Sequence, residues 1–344
     1  SPSRGLGDVY KRQDDISVES ITGFANMNAT ADSTAMSAKG IDDGFFSRAN
    51  DRRRGGFVEA QGGGTVLLTR GSIAAKLGLP VFGVVGYAQS FADGVHTSIP
   101  APGLGALAAA RGGKDSRLAR SLAALGVSAD DITVVSKHDT STNANDPNES
   151  DLHTRLANQL GRTPGNPMYV VSQKTLTGHA KGGAAVFQVA GLVDMFRTGR
   201  VPANKALDCV DPEMKTAEHF VWLREPLQAP TAIKAGLVTS LGFGHVSAVV
   251  ALVHPAAFEA VLAAECGQDA AATWRERANG RLTASARHVE AGMLGRRELF
   301  TRIDDRRFAS ADHDADTIGD AEAAMLLDPN ARLGEDGLYA NYTK

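Results

Sequence analysis

Cysteine is scarce in this chain, which holds only Cys209 and Cys266 among its 344 residues. Two cysteines far apart cannot build a disulfide framework, and neither has the ligand spacing of a structural metal site. Both observations fit a reducing compartment. The sequence therefore predicts a cytoplasmic protein without a bound metal.

The chain also lacks an excess of charge of either sign, because 36 Lys and Arg residues against 39 Asp and Glu residues leave a net charge of −3. This balance is unlike the basic signature of nucleic-acid-binding proteins. No apolar run reaches the roughly eighteen residues of a membrane span, and the first residues form no apolar signal-peptide core. The sequence thus predicts no nucleic-acid partner, no membrane insertion and no secretion.

Three segments differ in composition. Residues 1–13 are polar and basic without a hydrophobic period, and we interpret them as a foreign tail. Residues 14–255 hold the patterned part of the chain, which begins with loops and short ordered pieces up to about residue 54. Residues 256–344 are helical at first and then charged and rich in Ala and Asp, which predicts a helical, partly ordered extension.

Apolar strand patterns alternate with helical patterns in the middle segment. The predicted strands cover residues 66–69, 81–85, 132–136 and 168–172, with two more about a glycine turn in 235–253; predicted helices include residues 116–125, 147–160 and 178–198. This alternation predicts an α/β sheet whose strands are buried on both faces.

Unusual side chains follow three of the predicted strands. His138 comes after residues 132–136, Lys174 and His179 come after residues 168–172, and Phe243 lies between glycines at a third strand end. Open α/β sheets place their sites at such strand ends. Each residue alone has an ordinary structural explanation, but unusual side chains at three strand ends together indicate a site.

The two histidines predict an oxyanion site if they converge. A neutral imidazole donates one hydrogen bond, so His138 and His179 could form a donor pair for an oxygen that gains negative charge. His179 is expected at a helix N-terminus, where the macrodipole disfavours the imidazolium, and Lys174 would disfavour it further. The chemistry this implies is stabilisation of an enolate or carbonyl oxygen.

Four motifs, in order, resemble a known family. The chain reads GFVEAQGGGTVLL, KHDTSTNANDPNE, KTLTGHAKGGAA and SLGFGHVSAVVALV over its residues 56–68, 137–149, 174–185 and 240–253. Residues 16–255 resemble the β-ketoacyl synthase of the multifunctional type I fatty acid synthases of actinobacteria, akin to the fungal enzyme. The resemblance implies the thiolase fold, α/β layers stacked as α-β-α-β-α, with the second half complete, the first half partial, and a homo-oligomer built through the ketosynthase dimer.

The resemblance also implies roles for residues. His138 and His179 would be the catalytic histidines that decarboxylate a malonyl thioester and hold its enolate oxygen, with Lys174 as the catalytic lysine. Glu149 would organise the site, and Phe243 would resemble the gating phenylalanine. The implied reaction is the decarboxylative Claisen condensation of fatty acid elongation, an acyl transfer.

The implied substrates are thioesters on the phosphopantetheine arm of an acyl carrier protein domain, beside other fatty acid synthase domains. The family binds no cofactor directly and needs no metal.

Two departures from the family pattern affect these expectations. Asp139 stands where the commonest motif has glycine. The family's reactive cysteine lies upstream of GFANMNATA, where this chain has none, and neither Cys209 nor Cys266 has a nucleophile's setting. We therefore expect an N-terminally truncated fragment that forms no acyl-enzyme and retains at most malonyl decarboxylation.

The sequence also leaves other functional hypotheses to be weighed. A structural or decarboxylating ketosynthase-like subunit without a nucleophile fits the missing cysteine. A degradative thiolase would need a second cysteine near Phe243, where there is none. Nucleotide binding by QGGGTV fits poorly because its glycines do not open a helix. A metal site of His138, His179 and His245 lacks carboxylate or thiolate companions.

Overall fold

A computed structural model describes residues 8–14, 16–92, 105–214, 219–242 and 246–296. The described residues divide into two compact units: those within 8–10, 66–81 and 258–296 form the first, and those within 11–65 and 82–257 form the second. Among the described helices, none combines the length and the apolar character needed to cross a membrane.

Strands and helices alternate along much of the described chain. In chain order the elements are β1 Asp8–Asp14, α1 Val18–Asn26, α2 Ser33–Ala38, β2 Gly62–Leu68, α3 Gly71–Leu77, β3 Val84–Ala92, α4 Arg117–Ala123, β4 Ile132–Ser136, α5 Asn145–Gln159, β5 Met168–Val171, α6 Gln173–Thr177, α7 Ala184–Thr198, β6 Arg200–Val201, β7 Phe220–Trp222, β8 Leu227–Gln228, β9 Ala235–Gly242, β10 Val246–Val253, α8 Ala256–Cys266 and α9 Gln268–Met293.

Six strands of the second unit form one mixed sheet in the order β3-β10-β9-β4-β5-β7. Strand β4 pairs in parallel with β5 and with β9, and β5 pairs in parallel with β7, whereas β10 runs antiparallel to β3 and β9. Because β4, β5 and β9 are parallel, their carboxyl ends meet at one edge of the sheet. That edge carries the segments in which the sequence predicts a site.

The two faces of this sheet bury two separate hydrophobic clusters. Consecutive strand residues point to opposite faces, so Val135 packs with Leu152 and Leu156 of α5, whereas its neighbour Val134 packs with Leu192 of α7. All five of these side chains are at most 1 % exposed. Helices on both faces explain why the strands are apolar on both sides.

The first unit has a smaller core between its helices. Leu262 of α8 packs with Ala271, Trp274 and Ala278 of α9, and Ala75 of α3 contacts the same cluster. The indole nitrogen of Trp274 donates to the carbonyl oxygen of Leu79 at 3.0 Å, which satisfies the one polar atom of this largely buried side chain.

Most sequence predictions of regular structure are confirmed within a few residues, and 132–136 is confirmed without a shift. One was wrong: the helix predicted over residues 178–198 begins only at Ala184, after a separate helix α6 and a 3₁₀ turn. Gly178 and Lys181 both have a positive φ, of 72° and 40°, which a right-handed helix cannot accommodate.

Other predictions need smaller changes. The strand predicted over residues 81–85 begins at Val84 and runs on to Ala92. Strand β1, Asp8–Asp14, pairs with β2, so residues 8–13 of the predicted foreign tail do have regular structure. The origin of residues 1–13 stays a prediction. Phe243, His245 and the extension over residues 304–344 lie outside the described residues.

Candidate active site

His138 lies in the loop that follows β4, and a buried carboxylate holds its backbone. The N–H groups of His138 and Asp139 donate to the two carboxylate oxygens of Glu149, at 2.5 and 2.8 Å. Glu149 lies on α5, which starts just after this loop and therefore returns the carboxylate beneath it. The predicted organising role of Glu149 thus has a geometric basis, because it fixes the peptide that carries His138.

Lys174 reaches His138 from the neighbouring strand end. It lies on α6, directly after β5, and its ammonium donates to the carbonyl oxygen of His138 at 2.6 Å. The same nitrogen lies 3.1 Å from Nδ1 of the His138 ring. Burial lowers the pKa of Lys174 to about 8, against the opposing influence of the Glu149 carboxylate. The side chain therefore stays mostly charged at neutral pH.

His179 completes the group from the link between α6 and α7. Its ring lies edge-on to the His138 ring, with the ring centres 5.5 Å apart and the planes at 86°. The backbone N–H of His179 donates to the carbonyl oxygen of Val58 at 2.8 Å, and Phe57 packs against the ring with centres 4.8 Å apart. The structure thus brings together the two histidines and the lysine that the sequence singled out.

Both imidazoles are neutral at physiological pH. Burial, followed by the charge of Lys174, lowers the pKa of His138 to about 3 and that of His179 to about 2. The expectation that a helix N-terminus keeps His179 neutral was wrong, because α7 begins five residues later. Desolvation and the neighbouring ammonium produce the same result.

The hydrogen bonds to Nδ1 select one tautomer for each ring. The backbone N–H of Lys181 donates to Nδ1 of His179 at 3.0 Å, and the charged Lys174 ammonium has only donors to offer Nδ1 of His138. When Nδ1 accepts, the proton of a neutral imidazole resides on Nε2. Both rings therefore present an N–H donor at Nε2, as an oxyanion site requires.

Residues that the sequence interpretation missed support Glu149. Thr239 of β9 donates its hydroxyl to Oε1 of Glu149 at 2.5 Å, and His153 lies 3.0 Å from that hydroxyl. Burial alone would raise the pKa of Glu149, but hydrogen bonding by His153 and the charge of Lys137 hold it well below its usual range. The spacing of His153, four residues after Glu149 on one helix, was the available signal.

Gln188 of α7 was also missed. Its side-chain nitrogen donates to the carbonyl oxygens of Ser136 and Lys137, each at 2.9 Å, and so anchors the end of β4 just before His138. No sequence motif marks this residue. The two cysteines are both exposed, and Cys209 places its backbone N–H, rather than its thiol, against the carboxylate of Asp51.

The hypothesis of a metal site gains no support from the described residues. Among them, no three His, Cys, Asp or Glu side chains are grouped so that they could hold an ion. The proposed third ligand, His245, lies outside the described residues.

Residues 82–208, which include the His138 loop, Lys174 and His179, match the family described as beta-ketoacyl synthase, C-terminal domain. Over these residues the chain is similar to the C-terminal domain of beta-ketoacyl synthases. It is 35% identical over 334 residues to the fatty acid synthase alpha subunit stcJ of Emericella nidulans, and 35% identical over 327 residues to fatty acid synthase 2 of Mycosarcoma maydis. These matches cover 96% and 94% of this chain but only 20% and 8% of the relatives, so the chain spans a fifth or less of their length.

Solved structures are similar to this chain in fold. The noncanonical ketosynthase FabY from P. aeruginosa matches 88% of the chain and 47% of its own length, with a TM-score of 0.75 and 24% identity. The oxazolomycin ketosynthase domain OzmH KS7 of a Streptomyces species matches 72% of the chain with a TM-score of 0.58. The predicted thiolase fold is confirmed. The relatives named above are fungal, and the actinobacterial origin stays a prediction.

Proposed function

We propose that His138 and His179 hold the thioester oxygen of a malonyl group while it loses carbon dioxide. The bond between the carboxylate and the α-carbon breaks, CO₂ leaves, and the electron pair moves onto the thioester oxygen as an enolate. The single observation that carries this proposal is the pair of neutral rings, 5.5 Å apart, whose Nδ1 atoms are both occupied. Two Nε2–H donors then serve the developing negative charge.

The enolate has two fates. Its α-carbon attacks the carbonyl carbon of an acyl thioester, with the thiolate as leaving group, and gives a chain two carbons longer. In the absence of an acyl thioester it takes a proton from water and gives an acetyl thioester. We propose fatty acid chain elongation as the reaction of the whole synthase. With Cys209 and Cys266 both exposed and outside the site, this chain alone decarboxylates and does not condense.

The same proposal extends to partners. A neighbouring structure is described as a type II polyketide acyl-carrier protein in complex with its ketosynthase, with 20% identity and a TM-score of 0.57. This supports an acyl carrier protein, with its phosphopantetheine arm, as the partner that delivers substrate. We place the chain beside other fatty acid synthase domains, in the cytoplasm and in a homo-oligomer built through the ketosynthase dimer.

The test is decarboxylation of malonyl-CoA by the chain, measured as release of CO₂ and formation of acetyl-CoA. His179→Gln removes one donor and should lower kcat on the order of a hundredfold, which is the usual loss for one oxyanion donor. His254→Gln is the matched control, because His254 caps the start of α8 by accepting from the N–H of Ala256 at 3.1 Å.

Absence of CO₂ release above the uncatalysed rate would overturn the decarboxylation proposal. Equal activity of the His179→Gln variant and the parent chain would overturn the role of the histidine pair. Formation of a 3-oxoacyl product when an acyl-CoA is added would overturn the claim that this chain does not condense.

A further inference from the structure

Asp139 has a backbone conformation that disfavours its residue type. Its φ is +38°, and its side chain is completely buried. A left-handed conformation costs a residue other than glycine on the order of 1 kcal/mol, and burial of an unpaired carboxylate would cost several times more. The ketosynthase motif most often has glycine at this place. A residue that is unfavourable on both counts needs compensating contacts.

A buried lysine supplies the charge partner. Nζ of Lys137 lies 2.7 Å from Oδ1 of Asp139, with side-chain exposures of 1% and 0%. The same ammonium donates to Oδ1 of Asn50 at 2.8 Å and to the hydroxyl of Ser150 at 2.9 Å. The ammonium therefore makes two hydrogen bonds beside its ion pair, and the two charged residues lie on either side of His138 in the chain.

Asn50 and Ser172 hold the other carboxylate oxygen. Nδ2 of Asn50 donates to Oδ2 of Asp139 at 2.8 Å, and the hydroxyl of Ser172 donates to the same oxygen at 2.6 Å. Asn50 is itself fully buried, with φ of +64°, and its own N–H donates to Asp146 at 2.9 Å. Asparagine tolerates this conformation better than most residues.

These contacts join the two loops of the site. Ser172 directly precedes α6, the helix that carries Lys174, while Asp139 directly follows His138. The Asp139 carboxylate therefore fixes the separation of the segments that bear the lysine and the histidine. This separation decides whether the Lys174 ammonium reaches Nδ1 of His138, and thus which tautomer that ring adopts.

We propose that Lys137, Asp139 and Asn50, named here the Asp139 cluster, are positioning residues that hold Lys174 against His138 and so keep the Nε2–H donor of His138 available. The inference rests on the proposed decarboxylation for its meaning in catalysis. Its structural content, the tautomer of His138, is independent of any activity.

Two variants test the cluster. Removal of either the Lys137 or the Asp139 charge alone leaves the other buried without its charge partner. The main variant therefore combines Lys137→Met with Asp139→Gly. Glycine also suits the positive φ at position 139. Asp139→Asn is the second variant; it keeps the size of the side chain and tolerates the left-handed conformation. Asp151→Asn is the control, because this exposed carboxylate of α5 pairs only with Arg155 in the described structure, at 3.5 Å.

The kinetic readout is malonyl-CoA decarboxylation as a function of pH. We expect kcat of the double variant to fall between about tenfold and a hundredfold with little change in KM, since positioning acts on the reacting geometry. The Asp139 charge raises the pKa of Lys174, so the basic limb of the rate profile should move to lower pH in Asp139→Asn, which removes only the negative charge. Unchanged kcat and an unchanged basic limb in the folded variants would overturn the proposal.

The second readout is the ¹⁵N chemical shift of the His138 ring, assigned by comparison with His138→Gln. The parent chain and Asp151→Asn should show the Nε2–H tautomer, and both cluster variants should show a mixture with the Nδ1–H form. If the parent chain does not decarboxylate but the tautomer changes as expected, the proposed function fails and the positioning inference stands. If the tautomer is the same in all chains, the positioning inference fails.

Discussion

The two site histidines should each make the folded state of this protein less stable in acid. The folded chain keeps both imidazoles neutral, because burial and Lys174 lower their pKa values from 6.5 to about 3 for His138 and about 2 for His179. The unfolded chain exposes both rings to water and protonates them below about pH 6.5. Between these pH values the unfolded state binds more protons, so the free energy of unfolding falls as the pH falls.

The size of the effect follows from the proton difference. One pH unit below the unfolded pKa costs about 1.4 kcal/mol for each group that remains neutral in the folded state. At about pH 5 each histidine is therefore expected to have lost about 2 kcal/mol, and the pair about 4 kcal/mol. This histidine contribution is a large share of the free energy of unfolding of a typical domain, which is about 5–15 kcal/mol.

Urea unfolding measures this loss, with the fluorescence of Trp222 and Trp274 as the signal, at a series of pH values from about 7.5 down to about 5. Glutamine in place of His138 or of His179 removes one titrating group. On acidification to about pH 5, each single variant should lose about 2 kcal/mol less than the parent chain, and the double variant about 4 kcal/mol less. His254→Gln should behave as the parent chain does. Other buried groups, including Asp146 whose raised pKa acts in the opposite direction, are common to all these chains and cancel in the comparison. The reasoning is refuted if the double variant unfolds as readily in acid as the parent chain.

Two further predictions concern Lys174 and the link before His179. Deprotonation of Lys174, whose pKa is about 8, should lower the decarboxylation rate at higher pH, and Lys174→Met should abolish this limb in a pH series of initial rates. Gly178→Ala should destabilise the protein by about 3 kcal/mol in urea unfolding, because Gly178 has φ of +72° and its added Cβ would lie 2.7 Å from Cβ of Ala60. Gly165→Ala, at φ of +81° with no atom within 4 Å of the added Cβ, isolates the backbone cost and should lose only about 1 kcal/mol. A stable Gly178→Ala chain, or a Lys174→Met chain with the parent's pH profile, would contradict these arguments.

Sequence patterns predicted the strands of the central sheet well for a physical reason. β4 and β5 are short, apolar on both faces and covered by helices, so their β-branched runs stand out from the polar loops that flank them. The helix around His179 was predicted too long because its small residues suit a helix locally. A single parallel bridge between His179 and Glu59, a long-range contact, holds that link extended instead.

The site was predictable in part. His138 and Lys174 lie 36 residues apart in sequence, but each follows a parallel strand, and the carboxyl ends of such strands are expected to meet. Asn50 was not predictable. It lies in a segment with a loop-like sequence, and the residue that it contacts, Asp139, is 89 residues away in the chain. Thr239 was missed because nothing in the sequence distinguishes it from other residues of β9. It contacts Glu149 only because α5 places that side chain beside it.

The proposed decarboxylation and the acyl transfer of a ketosynthase depend on different groups. The proposed donors for an enolate oxygen depend on His138, His179, Lys174 and Glu149, which all lie in the second unit. Hydrogen bonds join Glu149 and Lys174 to His138, and the His179 ring packs edge-on against the His138 ring. None of these contacts involves a thiol. Decarboxylation requires that the thioester oxygen be stabilised, whereas acyl transfer also requires a nucleophile. The charge arrangement that we propose for the first step therefore does not depend on the second. The His138 and His179 rings are neutral because they are buried beside the Lys174 ammonium. This cause does not depend on which group supplies the nucleophile.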